Sequence, residues 1–439
     1  MLTIFRDLSV IMLLAFALLC GGCDSQDEQL ALTKAPVFIS ASSPAEVRNQ
    51  IAKLPLDDVW WNVYGKDQAW NFKNLHRFMP TVNIYRDGQV RMLTQRPMSA
   101  IPNQMVDTPI GIIDFKDFLD SEVSTTMSIV ILHKGEVVFE YYPNQEPYEK
   151  PIYWSATKAL VAALVGILAD RGQVDITLPI SYYLPRLKDS DYADITVRNL
   201  LDMSTGVNCP EEYFDQSSCY YQYSVTIGDG YWTENSPESP YDMLATLKPG
   251  IDAPQGTQYQ YSGVNAFILS WLVEDIMNMP FQDAVSKEIW GKMGAESDAS
   301  ILAPRYGVPI AHGGLLARSR DVARFGLLYT PSYTKISDKQ IISDRTIDLI
   351  LNDKNVNLTI GTNKAGQLPS DFSHSGYLWD AVYTNDDFYR GGWAGQGLLI
   401  NPTKDIVAVY TGYAIDAQES QPDLLPILRQ VLNTVFPSQ

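Results

Sequence analysis

Tyr153-Trp-Ser-Ala-Thr-Lys158 runs directly into Ala159-Leu-Val-Ala-Ala-Leu-Val-Gly-Ile-Leu-Ala169, and this stretch decides the fold. The spacing predicts a helix that opens at Ser155 and places its hydroxyl and the Lys158 amine on one face, one turn apart. The residues after Lys158 are apolar all round, so the helix is expected to be buried, and the amine with it. A buried amine resists protonation and can take the proton of a neighbouring hydroxyl, making it a nucleophile. The plain alternative is an ordinary N-cap serine, with Lys158 snorkelling to solvent.

Ser-x-x-Lys occurs a second time, at Ser332-Tyr-Thr-Lys335. About one chance match is expected in a chain of this length, so the pattern alone is weak. Context separates the two. Ser332 follows Pro331 and leads into Lys335-Ile-Ser-Asp-Lys339, which reads as a solvated turn.

Apolar residues make up 46% of the chain, enough for a sizeable core. The net charge is −18 and there is no Lys/Arg-rich run, which argues against nucleic acid and against electrostatic docking on anionic lipid. Residues 1–22 read as a signal peptide: Arg6, an apolar run from Leu8 to Cys20 too short to span a bilayer, then Gly21-Gly22-Cys23. Small residues before a cysteine resemble a bacterial lipoprotein cleavage site, so Cys23 is expected to carry the lipid that tethers the chain to a membrane. Asp24 resembles an inner-membrane retention signal, giving an exported, periplasmic protein. Cys20 and Asp7 depart from that pattern and keep ordinary secretion open. Residues 23–45 are then a linker.

In an oxidising compartment Cys209 and Cys219, the two cysteines of the mature body, are expected to form a disulfide across a polar loop. The four histidines are scattered, and no Cys/His spacing suggests a metal. No cofactor is expected.

Ser128 to Tyr142 reads as a hairpin turning at Lys134-Gly135, and Gly397 to Tyr410 as another turning at Pro402 to Asp405. Asp423 to Phe436 closes the chain as an amphipathic helix. Between the hairpins lie helical patterns: Asp194 to Met203 capped by Thr196, Ser262 to Met277, and Asp321 to Leu328. The expected class is α/β: an antiparallel sheet flanked by helices and built from distant halves, plus a helical lobe. Residues 46–120 show no helical repeat and are expected to wrap on the body as an extension. Residues 121–439 form the main domain, with a helical insertion at about 175–310.

Several blocks, in order, resemble the serine β-lactamase and penicillin-binding protein superfamily, with its β-lactamase/transpeptidase-like fold. The likeness is strongest to class C β-lactamase-related esterases and 6-aminohexanoate-dimer hydrolases. They are Trp154 to Gly166, Ile195 to Gly206, Gln255-Gly-Thr-Gln-Tyr-Gln-Tyr-Ser262, His312-Gly-Gly-Leu-Leu to Phe325, and Gly392-Trp-Ala-Gly-Gln-Gly to Pro402. The resemblance implies Ser155 as the acylated nucleophile, with Lys158 or Tyr261 as the base. It implies an oxyanion hole of backbone N–H groups from Ser155 and Trp393 or Ala394. Substrate contacts would come from Gly263, Arg390, Gly392 and Ala394. Gly263 departs from the Asn or Ser often found two residues after the tyrosine. The third box, Arg390-Gly-Gly-Trp-Ala-Gly395, has no lysine or histidine in register to hold a substrate carboxylate, though Arg390 is near. Hydrolysis of a small-molecule ester or linear amide is therefore expected rather than efficient β-lactam turnover. The rivals are a cell-wall D-alanyl peptidase or β-lactam-binding protein, and a non-catalytic, lipid-anchored binding module. Trp60, Trp61, Trp154, Trp379, Trp393 and the Tyr220, Tyr221, Tyr223 cluster are each candidates for an aromatic cleft, or for core.

Overall fold

A computed structural model describes residues 63–354 and 369–437, together with Ser43 and Ala45. The signal peptide, Cys23, Trp60 and Trp61 lie outside the described residues. The strands are β1 (Thr81–Ile84), β2 (Met105–Thr108), β3 (Gly111–Asp114), β4 (Ser128–His133), β5 (Glu136–Tyr141) and β6 (Ala299–Leu302). They continue with β7 (Leu315–Leu316), β8 (Phe372–Gly376), β9 (Trp379–Tyr383), β10 (Phe388–Gly392), β11 (Gln396–Asn401) and β12 (Ile406–Thr411). The helices used below are α1 (Gly65–Asn74), α2 (Lys158–Asp170), α3 (Val197–Leu201), α4 (Cys219–Thr226), α5 (Gly263–Met277), α6 (Ser319–Leu327) and α7 (Leu424–Val435).

The main sheet runs β5-β4-β12-β11-β10-β9-β8 and is antiparallel throughout. Its centre joins the two ends of the chain: Ser128 faces Thr411 and His133 faces Ile406 across β4 and β12. Successive side chains of a strand point to opposite faces, and both faces here are apolar. Val130, Leu132, Val407 and Val409 enter the core that contains α2, α5 and α6. Ile129, Ile131, Ile406, Ala408 and Tyr410 enter a second core, closed by Leu425, Leu428 and Val431 of α7. The result is helix, sheet, helix.

Between Asp170 and Ala299 the regular elements are helices. Thr196 caps α3, its hydroxyl accepting from the Asn199 amide, and Asp423 caps α7 through the Leu425 amide. In the segment before β4, Phe72, Leu75, Ile84 and Leu93 share the core of α2, while Ile101, Val106, Phe115 and Phe118 join the α7 core. The sequence reading missed α1. That helix buries Gln68, Asn71 and Asn74 beside Trp70 and Phe72, so no apolar stripe marks it. Gln68 instead accepts from the Ala414 amide at 2.6 Å.

The second Ser-x-x-Lys needs a correction. Ser332 is not solvated: it is only 7% exposed, in a 3-10 turn over Pro331–Lys335, and donates to Asp405 at 2.6 Å. Lys335 faces solvent, so hydroxyl and amine are separated there.

Candidate active site

The chain enters the site through a strained turn. Trp154 has φ 43°, a left-handed value that costs a residue other than glycine on the order of 1–3 kcal/mol. Its ring packs edge-on against Phe72 and Trp393, with centroids 5.5 and 5.3 Å away. A 3-10 turn, Trp154–Thr157, comes next, and α2 begins at Lys158. Ser155 therefore lies in a tighter turn just before the helix, half-buried, rather than on its first α-helical turn.

Lys158 is fully buried. Its Nζ stands 2.9 Å from Ser155 Oγ and donates to the His312 carbonyl at 2.9 Å. Burial pushes its pKa down to about 7; the Arg390 charge pushes the same way, and Glu211 and Asp380 oppose it. The His312 ring, also buried, is held neutral by desolvation and by Lys158. Tyr223 meets its Nδ1 at 3.1 Å.

Tyr261 comes from the segment just before α5. Its ring lies 4.8 Å from Lys158 Nζ. Desolvation raises the phenol pKa well above its ordinary value, although Arg390 and a hydrogen bond with Ser155 pull it down. Tyr261 is a phenol at neutral pH; Lys158 is poised to lose its charge there.

Arg390 on β10 ties the set together. It is 1% exposed. Its Nε donates to the Ser155 carbonyl at 2.8 Å, and its Nη1 to the Leu378 carbonyl at 2.9 Å and to Asp380 at 2.5 Å. Its Nη2 donates to the Tyr261 hydroxyl. Asp380 in turn accepts from the Gly391 amide at 2.8 Å. Four of its five N–H groups are engaged by the site's own groups and it does not line the cleft, which places Arg390 behind the reacting groups.

The end of β10 is packed hard on the Ser155 turn. A Cβ at Gly392 would stand 2.3 Å from the Tyr153 carbonyl oxygen and 3.3 Å from the Ala156 nitrogen, so only glycine allows this approach. Gly392 and Trp393 line the cleft. Gly263 and Ala394, expected to touch substrate, do not line it and are buried. At Gly263 the reason is specific: a Cβ would meet Tyr220 Oη at 2.7 Å and His312 Cδ2 at 2.8 Å. Tyr220 and His312 occupy the space that the family's Asn or Ser would need.

The cleft has a volume of about 770 Å³ and is lined by Ser155, Tyr261, Trp154, Trp393 and His312, with Glu211, Tyr213, Asp229, Asp380 and Glu419 around them. Trp379 is core, as are Tyr220 and Tyr223. Tyr213 donates to Glu211 at 2.6 Å and meets Tyr220 Oη at 3.0 Å. Cys209 and Cys219 are bonded. Sequence reasoning missed the carboxylates, because nothing local marks an acidic residue as facing a cleft. Among the described residues, no group of His, Cys, Asp and Glu could hold a metal ion.

An antiparallel sheet between helical layers, with serine, buried lysine and tyrosine meeting where the end of β10 packs on the turn before α2, defines a serine hydrolase. The chain belongs to the Beta-lactamase family, whose model matches residues 114–412. It is 28% identical over 285 residues to the 6-aminohexanoate-dimer hydrolase of Paenarthrobacter ureafaciens, spanning 64% of this chain and 69% of that protein. It is 24% identical over 229 residues to a β-lactamase of Providencia stuartii, spanning 48% of this chain and 52% of that one. Among solved structures, a candidate 6-aminohexanoate-dimer hydrolase from Bacillus anthracis superposes with a TM-score of 0.72 at 21% identity, covering 87% of this chain and 96% of the other.

Proposed function

We propose that the protein cleaves a linear amide or carboxylic ester through an acyl-enzyme on Ser155, and that its substrate carries an ammonium group. The observation behind the first part is the buried Lys158 amine, 2.9 Å from Ser155 Oγ with its pKa lowered to about 7. Ser155 Oγ attacks the carbonyl carbon while its proton passes to the neutral Lys158. The Ser155 and Trp393 amides receive the developing oxyanion. The C–N or C–O bond then breaks, Tyr261 donates its phenolic proton to the leaving group, and Lys158 restores it. Water attacks the acyl-enzyme by the reverse relay and releases the acid. Arg390 keeps the phenol oriented throughout by donating to its oxygen.

The charge preference rests on the cleft wall. Glu211, Asp229 and Glu419 line it, while the Asp380 and Arg390 charges pair with each other. A substrate ammonium meets complementary charge; a substrate carboxylate meets repulsion. The dimer for which one relative is named, a linear amide of 6-aminohexanoate, carries an ammonium at one end and a carboxylate at the other, so that likeness supports an ammonium-bearing amide and leaves a carboxylate at its far end open. The D-alanyl peptidase and β-lactam readings need a cation for the substrate carboxylate and are disfavoured. So is the binding module, which has no use for a lysine buried beside a serine. The test compares kcat/KM for a linear amide ending in ammonium with that for its N-acetylated analogue. We expect a preference for the ammonium of about tenfold or more, corresponding to roughly 1.4 kcal/mol; equal rates, or faster turnover of a β-lactam, contradict it.

On the same reading the protein is periplasmic, tethered to the inner membrane by acylated Cys23. Metabolic labelling with a fatty acid should mark the wild type and not Cys23→Ala.

A further inference from the structure

Glu211, Tyr213 and Phe214 all line the cleft, and all three lie within the ring closed by the Cys209–Cys219 bond. From Pro210 to Ser218 no residue is fully buried, and the segment's apolar anchor is the Tyr213 ring, which packs on the core and edge-on against Tyr220 with centroids 5.1 Å apart. Its stems are firmer. Cys209 is fully buried, next to the bridge between Val207 and Ile251. Cys219 opens α4 behind its cap, Ser218, whose hydroxyl accepts from the Tyr221 amide. Inside the ring Glu212 accepts from the Phe214 amide at 2.7 Å and Asp215 from the Ser217 amide at 2.9 Å, which folds the segment on itself. Its ties to the site are the Glu211 amide, which donates to the Tyr261 carbonyl at 3.1 Å, and Tyr213, which joins Glu211 to Tyr220.

We propose that the Cys209–Cys219 disulfide is a specificity clasp: it holds Glu211 and Tyr213 in the cleft wall for an ammonium-ended chain. A cross-link removes the open conformations of the segment it closes, and here it adds to the apolar contact that the Tyr213 ring makes with the core. The reacting side chains are held from elsewhere, although the Glu211 amide meets the Tyr261 carbonyl and the Glu211 charge raises the Lys158 pKa. Ser155, Lys158, Tyr261 and Arg390 are fixed by the turn before α2, by the entry to α5 and by β10, through contacts that include no side chain of the ring. The clasp therefore acts first on which substrate is held, while the sheet and α2 set the geometry of the serine and its base. This rests on reading the cleft as selective for ammonium.

The experiment compares two fluorophosphonates, one with a pentyl chain ending in ammonium and one ending in methyl. Labelling rates are measured on the disulfide-bonded protein and on Cys209→Ala/Cys219→Ala. Should the double variant not fold, the native protein is treated with a phosphine, which gives two thiols and becomes the phosphine oxide with oxygen from water. The bonded protein should label faster with the ammonium probe by about tenfold. Without the bond that ratio should fall towards one, while the methyl probe stays within about twofold. A ratio unchanged after removal of the bond overturns the clasp and leaves the hydrolase reading standing. Equal slowing with both probes overturns it too, since the bond would then only support the fold. A bonded protein that labels with neither probe, or shows no preference, overturns the reading of the cleft on which the clasp depends.

Discussion

Lys158 Nζ stands 2.9 Å from Ser155 Oγ and, at the same distance, donates to the backbone carbonyl of His312. The carbonyl holds one N–H, which leaves the lone pair of the neutral amine available to the serine. Below pH about 7 the amine is protonated and cannot accept; above it the amine is neutral. The rate of Ser155 acylation should therefore rise with pH through a midpoint near 7 and level off above it. Because the folded pKa lies below the ordinary 10.5, the unfolded chain binds the extra proton between those values. Lys158 thus adds stability as pH rises across that window. A labelling rate flat in pH would contradict this.

Tyr261→Phe removes the phenol and leaves an Arg390 donor without its acceptor. Turnover should fall about 10²–10⁴-fold, the range for loss of a proton-transfer group. Acylation by a fluorophosphonate, whose fluoride leaves without a proton, should fall much less. Equal losses in the two assays would place Tyr261 in serine activation instead.

Arg390→Lys keeps the charge but cannot reach Ser155, Leu378, Asp380 and Tyr261 together. Because Asp380 is 25% exposed and the lysine keeps the charge, the cost is that of the lost hydrogen bonds, about 1–3 kcal/mol of stability. In the fraction that remains folded, kcat should drop more than KM rises, because Arg390 orients the site and does not face the cleft. Denaturant titration and steady-state kinetics give the two numbers.

Gly263→Ser should restore the family's pattern and still harm this protein. The new Cβ meets Tyr220 Oη at 2.7 Å and His312 Cδ2 at 2.8 Å, so about 1–3 kcal/mol of overpacking is expected. Activity should fall, because the displaced His312 segment carries the carbonyl that holds Lys158. A variant as stable and active as the parent would show that the two rings move aside freely.

Legible in the sequence was whatever the pattern of apolar residues or an ordered motif carries. Both hairpins, the buried helix after Ser155 and the helices at Asp194, Ser262 and Asp423 come from periodicity and caps. The meeting of Ser155, Lys158 and Tyr261 comes from motif order. The helix Gly65–Asn74 escaped because its buried face is amide and aromatic rather than aliphatic. Ser332 was misjudged because its burial comes from Asp405, 73 residues away. Arg390 was read as a substrate contact because its four partners come from three separate segments. The acidic cleft was invisible for the same reason: Glu211, Asp229, Asp380 and Glu419 converge only in the folded chain.

The most direct test of the account is intact-mass analysis of the mature domain with a fluorophosphonate, beside Ser155→Ala. The account predicts one adduct on the wild type, mapping to the peptide that contains Ser155, and none on the variant. Folded wild-type protein that gains no adduct, or an adduct that persists in Ser155→Ala, would contradict the claim that Lys158 makes Ser155 a nucleophile.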